Sequence, residues 1–168
     1  VEHLEFNVED DAEEVDVKAT FMAEARFLRA YAYFELVRYW GRVPVATKSL
    51  SAAEAMSTPQ SEAQDVYEQV IIPDLQYAIE NMKERAYTSS GGIAESGRAT
   101  LPAAQALLGR VYLTMAGFPL YDTSKLSLAK EVLGEVITYA EKNNKYWAAD
   151  SDTSVSYTHL RAHETVLD

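Results

Sequence analysis

Between about Lys18 and Trp40, Ala23, Phe27, Ala30, Phe34 and Val37 recur at steps of three and four, while Arg26, Arg29, Glu35 and Arg38 mostly fall between them. That period predicts an amphipathic helix over about 18–40. Gly41 can turn left-handed after the last turn and Pro44 forbids resumption, so the stretch RFLRAYAYFELVRYWGRVPV contains both a helix and its stop. Phe27, Tyr31 and Phe34 share a face and are expected in the core, because aromatics on an inward stripe are more often packing than a ligand cage. Arg29 adjoins that stripe. An unpaired charge there would be costly, so it is expected to be partly buried and matched to a carboxylate or to carbonyl groups.

Three more helical patterns follow. Ser61 with Gln64 three residues on makes a capping box that would open a helix over about 62–84, with Val66, Val70, Ala78, Ile79 and Met82 as its apolar side. Pro73 lies inside this span and predicts a kink. The Gly- and Ser-rich segment from Thr88 to Thr100 reads as an exposed loop. Thr100 then caps, Pro102 suits a first turn, and Ala104, Leu107, Leu108, Val111 and Met115 give a stripe over about 102–116, closed by Gly117 and Pro119. The fourth helix, about 125–143, would bury Ala129, Leu133, Val136 and Ala140, with Gly134 either a packing contact or a local weakness. No alternating strand pattern competes before Asn144, so the fold class is expected to be all-α.

The bulk numbers narrow the function. A chain of 168 residues with 48% hydrophobic content is long enough for one soluble domain with a core. A net charge of −11, with 15 Lys and Arg spread along the chain, argues against nucleic acid and against an anionic membrane surface. No apolar run approaches the roughly 18 residues of a membrane-spanning helix. With no cysteine, disulfides, thiolate metal sites and a Cys nucleophile are excluded. The chain opens on Val1 without a charged and then apolar leader, so it is expected to be a piece whose targeting signal is absent or removed.

Residues 1–17 are acid-rich and read as a solvated linker or part of a preceding helix; the Asp-x-Asp-x-Asp-Gly spacing of a calcium loop is missing. At the other end, VSYTHLRAHET resembles one reading frame of a common transposase sequencing adapter, so 155–168 is set aside as an adapter-derived tail and the helical region is taken as 18–154. His159 and His163, at the i, i+4 spacing of a metal pair, go with that tail. Only His3 is left, so neither a Ser-His-Asp constellation nor a His-based metal site can be assembled. Glu24 and Glu35, eleven residues apart on one helix, would stand about 16 Å apart, too far for paired-carboxylate glycoside hydrolysis. No catalytic residue, metal ligand or cofactor is therefore expected, and the chain reads as a binder, not an enzyme.

The segment Leu108-Gly109-x-x-Tyr112 followed by an Ala-rich helix repeats part of the tetratricopeptide pattern, in which a small residue lets two antiparallel helices approach closely. Gly109 is accordingly expected at a crossing with the fourth helix. Taken together, EARFLRAYAYFELVRYWGRVPV, VYEQVIIPDLQYAIENM and GRATLPAAQALLGRVYLTMAG resemble the SusD/RagB family of outer-membrane nutrient-binding lipoproteins across roughly residues 20–142. The resemblance implies an internal fragment of a SusD-like fold, a tetratricopeptide-like helical superhelix. It also implies a surface-exposed lipoprotein of the bacterial outer membrane, held there by a lipid anchor on a Cys this chain lacks. Its implied partners are a glycan and a TonB-dependent transporter of the SusC type. The alternative is a tetratricopeptide-like scaffold binding a protein segment along a helix face. Family sites stack sugar rings on aromatic platforms, and Tyr87 beside the flexible loop and Trp147 after the last helix are weak candidates for such contacts. Phe27, Tyr31 and Phe34 are expected to be committed to packing, whereas for Tyr39 and Trp40 at the first helix end the pattern leaves packing open. One platform makes a shallow contact, so the chain alone is not expected to hold an oligosaccharide with useful affinity.

Overall fold

The structure is a computed structural model and describes residues 12–82 and 98–142. Helix α1 spans Ala12–Trp40. A short α2, Ala52–Ser57, precedes α3, Ala63–Val66, which runs through a π-helical turn, Tyr67–Ile71, into α4, Ile72–Asn81. Helices α5, Leu101–Ala116, and α6, Lys125–Lys142, complete the described set. Strands β1, Val43–Pro44, and β2, Gln60–Ser61, form a two-residue antiparallel ribbon that pairs Val43 with Ser61. Helix α1 thus starts upstream of Lys18, since an acid-rich opening is compatible with the positive end of a helix. Its stop is built as the sequence suggests: Gly41 takes φ +71° and donates its N–H to the Val37 carbonyl at 2.8 Å.

Two contact clusters give the direction of each helix. Ala23 of α1 meets Ala78 and Met82 at the end of α4 and Ala104 near the start of α5. Further along α1, Phe34 and Val37 meet Val66, Tyr67 and Ile71 ahead of α4, and Val111 and Met115 near the end of α5. Helices α1 and α5 therefore run the same way with α4 antiparallel between them, and the last turns of α1 and α5 share one end of the layer. Val43 of the ribbon is buried against that same end.

The core stripe on α1 holds at Ala23, Ala30, Phe34 and Val37, with Phe27 half-buried, but Tyr31 is 48% exposed. Tyr31 lies about 60° around the helix from Phe34, far enough to leave the α4-facing side. The expectation of three inward aromatics is corrected to Phe34 with Phe27 beside it.

The expected capping box at Ser61 and Gln64 is absent. Ser61 is extended in the ribbon, Glu62 precedes the helix without a side-chain cap, and Gln64 donates to Glu68 instead. The same signature occurs ten residues earlier, where Ser51 and Glu54 form a reciprocal box that opens α2, inside what read as a loop. Thr100 takes the N-cap position of α5 with extended backbone but makes no side-chain cap bond.

Pro73 sits in the first turn of α4, directly after the π turn, in which the Ile72 N–H reaches back five residues to the Tyr67 carbonyl. Pro73 has no N–H to donate and its ring needs room near the Gln69 carbonyl; the widened turn provides both a place to lose a hydrogen bond and the space.

Helices α5 and α6 cross at Gly109. A Cβ there would lie 2.5 Å from the Leu133 side chain, so the glycine is what admits Leu133. Of the stripe expected inward on α6, only Ala129 is fully buried, while Leu133, Val136 and Ala140 are half-buried. Among the described residues the helix is covered mainly by α5. Gly134 has nothing within 4 Å of where its Cβ would stand, so it is a local weakness and not a packing contact.

Candidate functional site

The binding candidates read from sequence, Tyr87 and Trp147, lie outside the described residues, as do most of the expected 88–100 loop, the adapter-like tail and all three histidines. What the described residues bring together begins with Arg29. Its guanidinium forms a fork onto Asp74 of α4, Nε to Oδ2 at 2.6 Å and Nη2 to Oδ1 at 2.7 Å, and Nη1 donates to the Thr47 carbonyl at 3.2 Å. Asp74 is 2% exposed. Carboxylate and carbonyl together satisfy the charge that the sequence placed beside the core stripe. Nearby, the Tyr33 hydroxyl accepts from the Ala46 N–H at 2.7 Å, so two side chains of α1 clamp the segment after β1.

The arrangement pins structure. Glu24 is forked by Arg98 at 2.9–3.0 Å, which ties the lead-in of α5 to α1, and Glu35 is held by Arg38. Both carboxylates considered for hydrolysis are thus engaged in ion pairs on the outside of α1. Burial pushes the Tyr67 and Tyr112 hydroxyls up from their ordinary range, which keeps them neutral. Among the described residues, no group of three or more His, Cys, Asp or Glu is placed to hold a metal ion, and no helix is long and apolar enough to cross a membrane.

The surface offers aromatic rings in pairs. At the end of α1, Tyr39 and Trp40 are 74% and 68% exposed, with ring centroids 5.6 Å apart in an edge-to-face arrangement. In the loop after α5, Phe118 and Tyr121 are 79% and 67% exposed and meet edge-to-face at 6.1 Å. Sequence reasoning singled out Tyr39 and Trp40 without settling their exposure, because they fall in the last turn, where a helical wheel no longer says what lies opposite. It missed Phe118 and Tyr121; the available signal was two aromatics bracketing Pro119 just beyond a helix stop.

Two open grooves run along α6. One, about 480 Å³, lies between Gln105, Glu131, Gly134, Thr138 and Tyr139; the other, about 230 Å³, shares Glu131 and Glu135 with it and reaches Glu80 of α4. Gln105 spans the helix pair and donates to Glu135 at 2.6 Å.

Comparison with known proteins adds a family. Residues 1–113 match the SusD-like family model described as starch-binding and associating with the outer membrane. A SusD-like protein of Bacteroides ovatus is 34% identical over 122 residues, 71% of this chain and 21% of that protein. SusD-like protein P2 of Formosa agariphila is 38% identical over 115 residues, 66% of this chain and 20% of its own length. The chain therefore spans about a fifth of the length of these curated relatives. Among solved structures, a SusD superfamily protein from Parabacteroides distasonis superposes with a TM-score of 0.66 at 33% identity, covering 81% of this chain and 26% of that one. A laminarin-binding SusD-like protein gives 0.60 at 33% identity, covering 77% and 24%.

Proposed function

Because the chain belongs to the SusD-like starch-binding family, with its all-α, tetratricopeptide-like fold, we propose that it is part of a non-catalytic glycan-binding protein serving nutrient uptake at the bacterial outer membrane. In this reading the whole protein is a surface-exposed lipoprotein that captures oligosaccharides and passes them to a TonB-dependent SusC-like transporter. The observation that carries it on this chain is the exposed Tyr39–Trp40 pair. The C–H face of a sugar ring stacks on such flat side chains while its hydroxyls take polar partners, for which the Arg42–Glu62 ion pair, formed by residues just after Trp40 and just after the ribbon in the chain, is a candidate. Capture of this kind needs no covalent step. The laminarin-binding relative extends the ligand class to test from starch to β-linked glucans. Tyr87 and Trp147 stay as further candidates for ring contacts.

Calorimetry against starch, laminarin, xylan and mannan oligosaccharides tests the reading. It expects saturable binding by the full-length protein to at least one of them, weakened by Trp40→Ala; no saturable binding across the panel overturns it.

A second reading, a scaffold for a protein segment, is favoured by the α5–α6 groove with its carboxylates Glu131 and Glu135. A Lys- and Arg-rich peptide that shifts the NMR signals of Gly134 and Thr138, while glycans shift none, would place it first.

A further inference from the structure

Helix α2 stands apart from the helix layer. None of its six residues is buried, and Met56 is 90% exposed. Among the described residues no hydrogen bond or ion pair joins it to another element. The chain on either side is fastened. Ahead of it Val45 packs against the core, the Ala46 N–H donates to the Tyr33 hydroxyl, and the Thr47 carbonyl accepts from Arg29. Behind it Gln60 pairs with Pro44 in the ribbon. We propose that residues 48–59 form an arm that opens and recloses on its own, α2 melting and reforming under the control of one carboxylate, Glu54, while the helix layer stays intact.

A helix of six residues does not persist in water unaided, since isolated helices are marginal below about 12–15 residues. Here its ends are satisfied from within the arm. The Ser51 N–H and hydroxyl both donate to Glu54 Oε2, at 2.8 and 2.7 Å, and Ser51 Oγ accepts from the Glu54 N–H at 3.4 Å. At the other end the Ser57 and Thr58 hydroxyls donate to the Glu54 carbonyl at 3.0 and 2.7 Å. Protonating Glu54 weakens the acceptor of both Ser51 bonds, because the charge that strengthens them is lost. Those bonds hold its carboxyl below the ordinary range, and no charged group of another element contributes. A carboxyl lowered by folding supports the helix fully above the unfolded value, near ~4.3, and that support is lost as pH falls through the lowered value. Because α2 buries no residue of its own, its melting leaves the core packing as it was.

The test follows the 168-residue chain by NMR at about pH 6 and about pH 3, with the buried Phe34 and Val111 reporting on the layer. The Cα shifts of Ala53, Ala55 and Met56 should be helical at the higher pH and lose that character at the lower, while the Phe34 and Val111 amides stay protected from exchange. Ser51→Ala should lower the protection of the Ala55 amide, which donates to the Ser51 carbonyl at 2.9 Å, by about fivefold, the size of a typical cap, without moving the thermal midpoint. Glu54→Gln keeps a capping side chain without the charge, so its α2 should persist at both pH values. Both residues are exposed and bond only within the arm, so neither variant should disturb the layer. Helical shifts that survive at low pH in the parent, or a Glu54→Gln helix lost as the parent's is, would show that the charge of Glu54 does not control the arm. Shifts lost only together with the protection of Phe34 and Val111, or a lowered midpoint in Ser51→Ala, would show that α2 folds as part of the layer. Each of these results overturns the proposal, and none depends on whether the protein binds glycan.

Discussion

Gly109 and Gly134 occupy the middles of two partnered helices, and their surroundings are opposite. At Gly109 the missing side chain is filled by Leu133 of α6; at Gly134 nothing stands within 4 Å. The first glycine is the condition for a helix crossing, and the second costs helix propensity with no contact in return. The contrast extends to their sides of the molecule. Helices α1, α4 and α5 enclose fully buried Phe34, Ile71, Leu75, Val111 and Met115, whereas α6 buries only Ala129 and leaves Leu126, Leu128 and Ile137 exposed. One sequence pattern, a small residue within an apolar helix, thus has two meanings that only neighbours distinguish.

The closed region is the place to break the fold. Asp74→Ala should cause the largest loss, about 3–5 kcal/mol, because it leaves the Arg29 guanidinium between α1 and α4 without its carboxylate. Denaturant unfolding would show it as a fall in midpoint at unchanged slope. Replacing both partners, Arg29→Met with Asp74→Leu, should recover much of the loss, since apolar residues of similar size remove both charges together. A double variant as unstable as the single one would mean that the pair does more than neutralise charge, for instance through the Thr47 carbonyl.

Next comes the crossing itself. Gly109→Leu sets a side chain where Leu133 already lies 2.5 Å from the Cβ position and should cost about 1–3 kcal/mol through overpacking. A thermal melt at or above that of the parent would show that α6 can move aside, and that the crossing is looser than the contact suggests.

Much of this was legible in the chain because it depends on local chemistry. The Gly41 and Pro44 stop, the Ala104–Met115 stripe and the need to pair Arg29 each follow from period or charge, with no knowledge of what lies opposite. The errors share a different origin. Ser61 carries a capping signature but was claimed by the ribbon with Val43, while the equivalent signature at Ser51, with Glu54 in place of Gln64, was free to cap. Leu133, Val136 and Ala140 have the period of a buried stripe, yet burial is a property of partners, and among the described residues α6 has α5 as its main partner. Tyr31 shows the limit of wheel position, since it lies close enough to the stripe to be counted in and far enough to remain exposed. The aromatic pairs at the helix ends were hidden for the same reason: a last turn and a loop have no period from which to infer direction.

Gly134→Ala sharpens the comparison from its open side. A methyl group there meets no atom, and the helix gains the propensity difference, so stability should rise by up to about 1 kcal/mol. The sign is the informative part, because Gly109 and Gly134 then respond oppositely to added side-chain volume. A loss at Gly134 would show that its space is used by the folded chain.

The smallest effect expected concerns the start of α6, where the open region is tied to the end of α5. The Ser124 hydroxyl and N–H both donate to Asp122, the hydroxyl bond being the main reason its carboxyl is held below the ordinary range; Lys125 adds to this at 3.7 Å. A carboxyl lowered by folding is more favourable ionised in the folded state than in the unfolded one. Its contribution is therefore complete above the unfolded value, near ~3.9, and is lost as pH falls through the lowered folded value. Asp122→Asn keeps the shape and removes the titration. The difference in unfolding midpoint between parent and variant should be constant from pH 7 to about 5 and shrink toward pH 2. The carboxylate is partly open to solvent, so added salt should shrink it at neutral pH as well. A difference that stays level down to pH 2 would mean that the Ser124 bonds survive protonation, and that the α6 start is held by the backbone bonds of Lys125 and Leu126 to Asp122 and Thr123 instead.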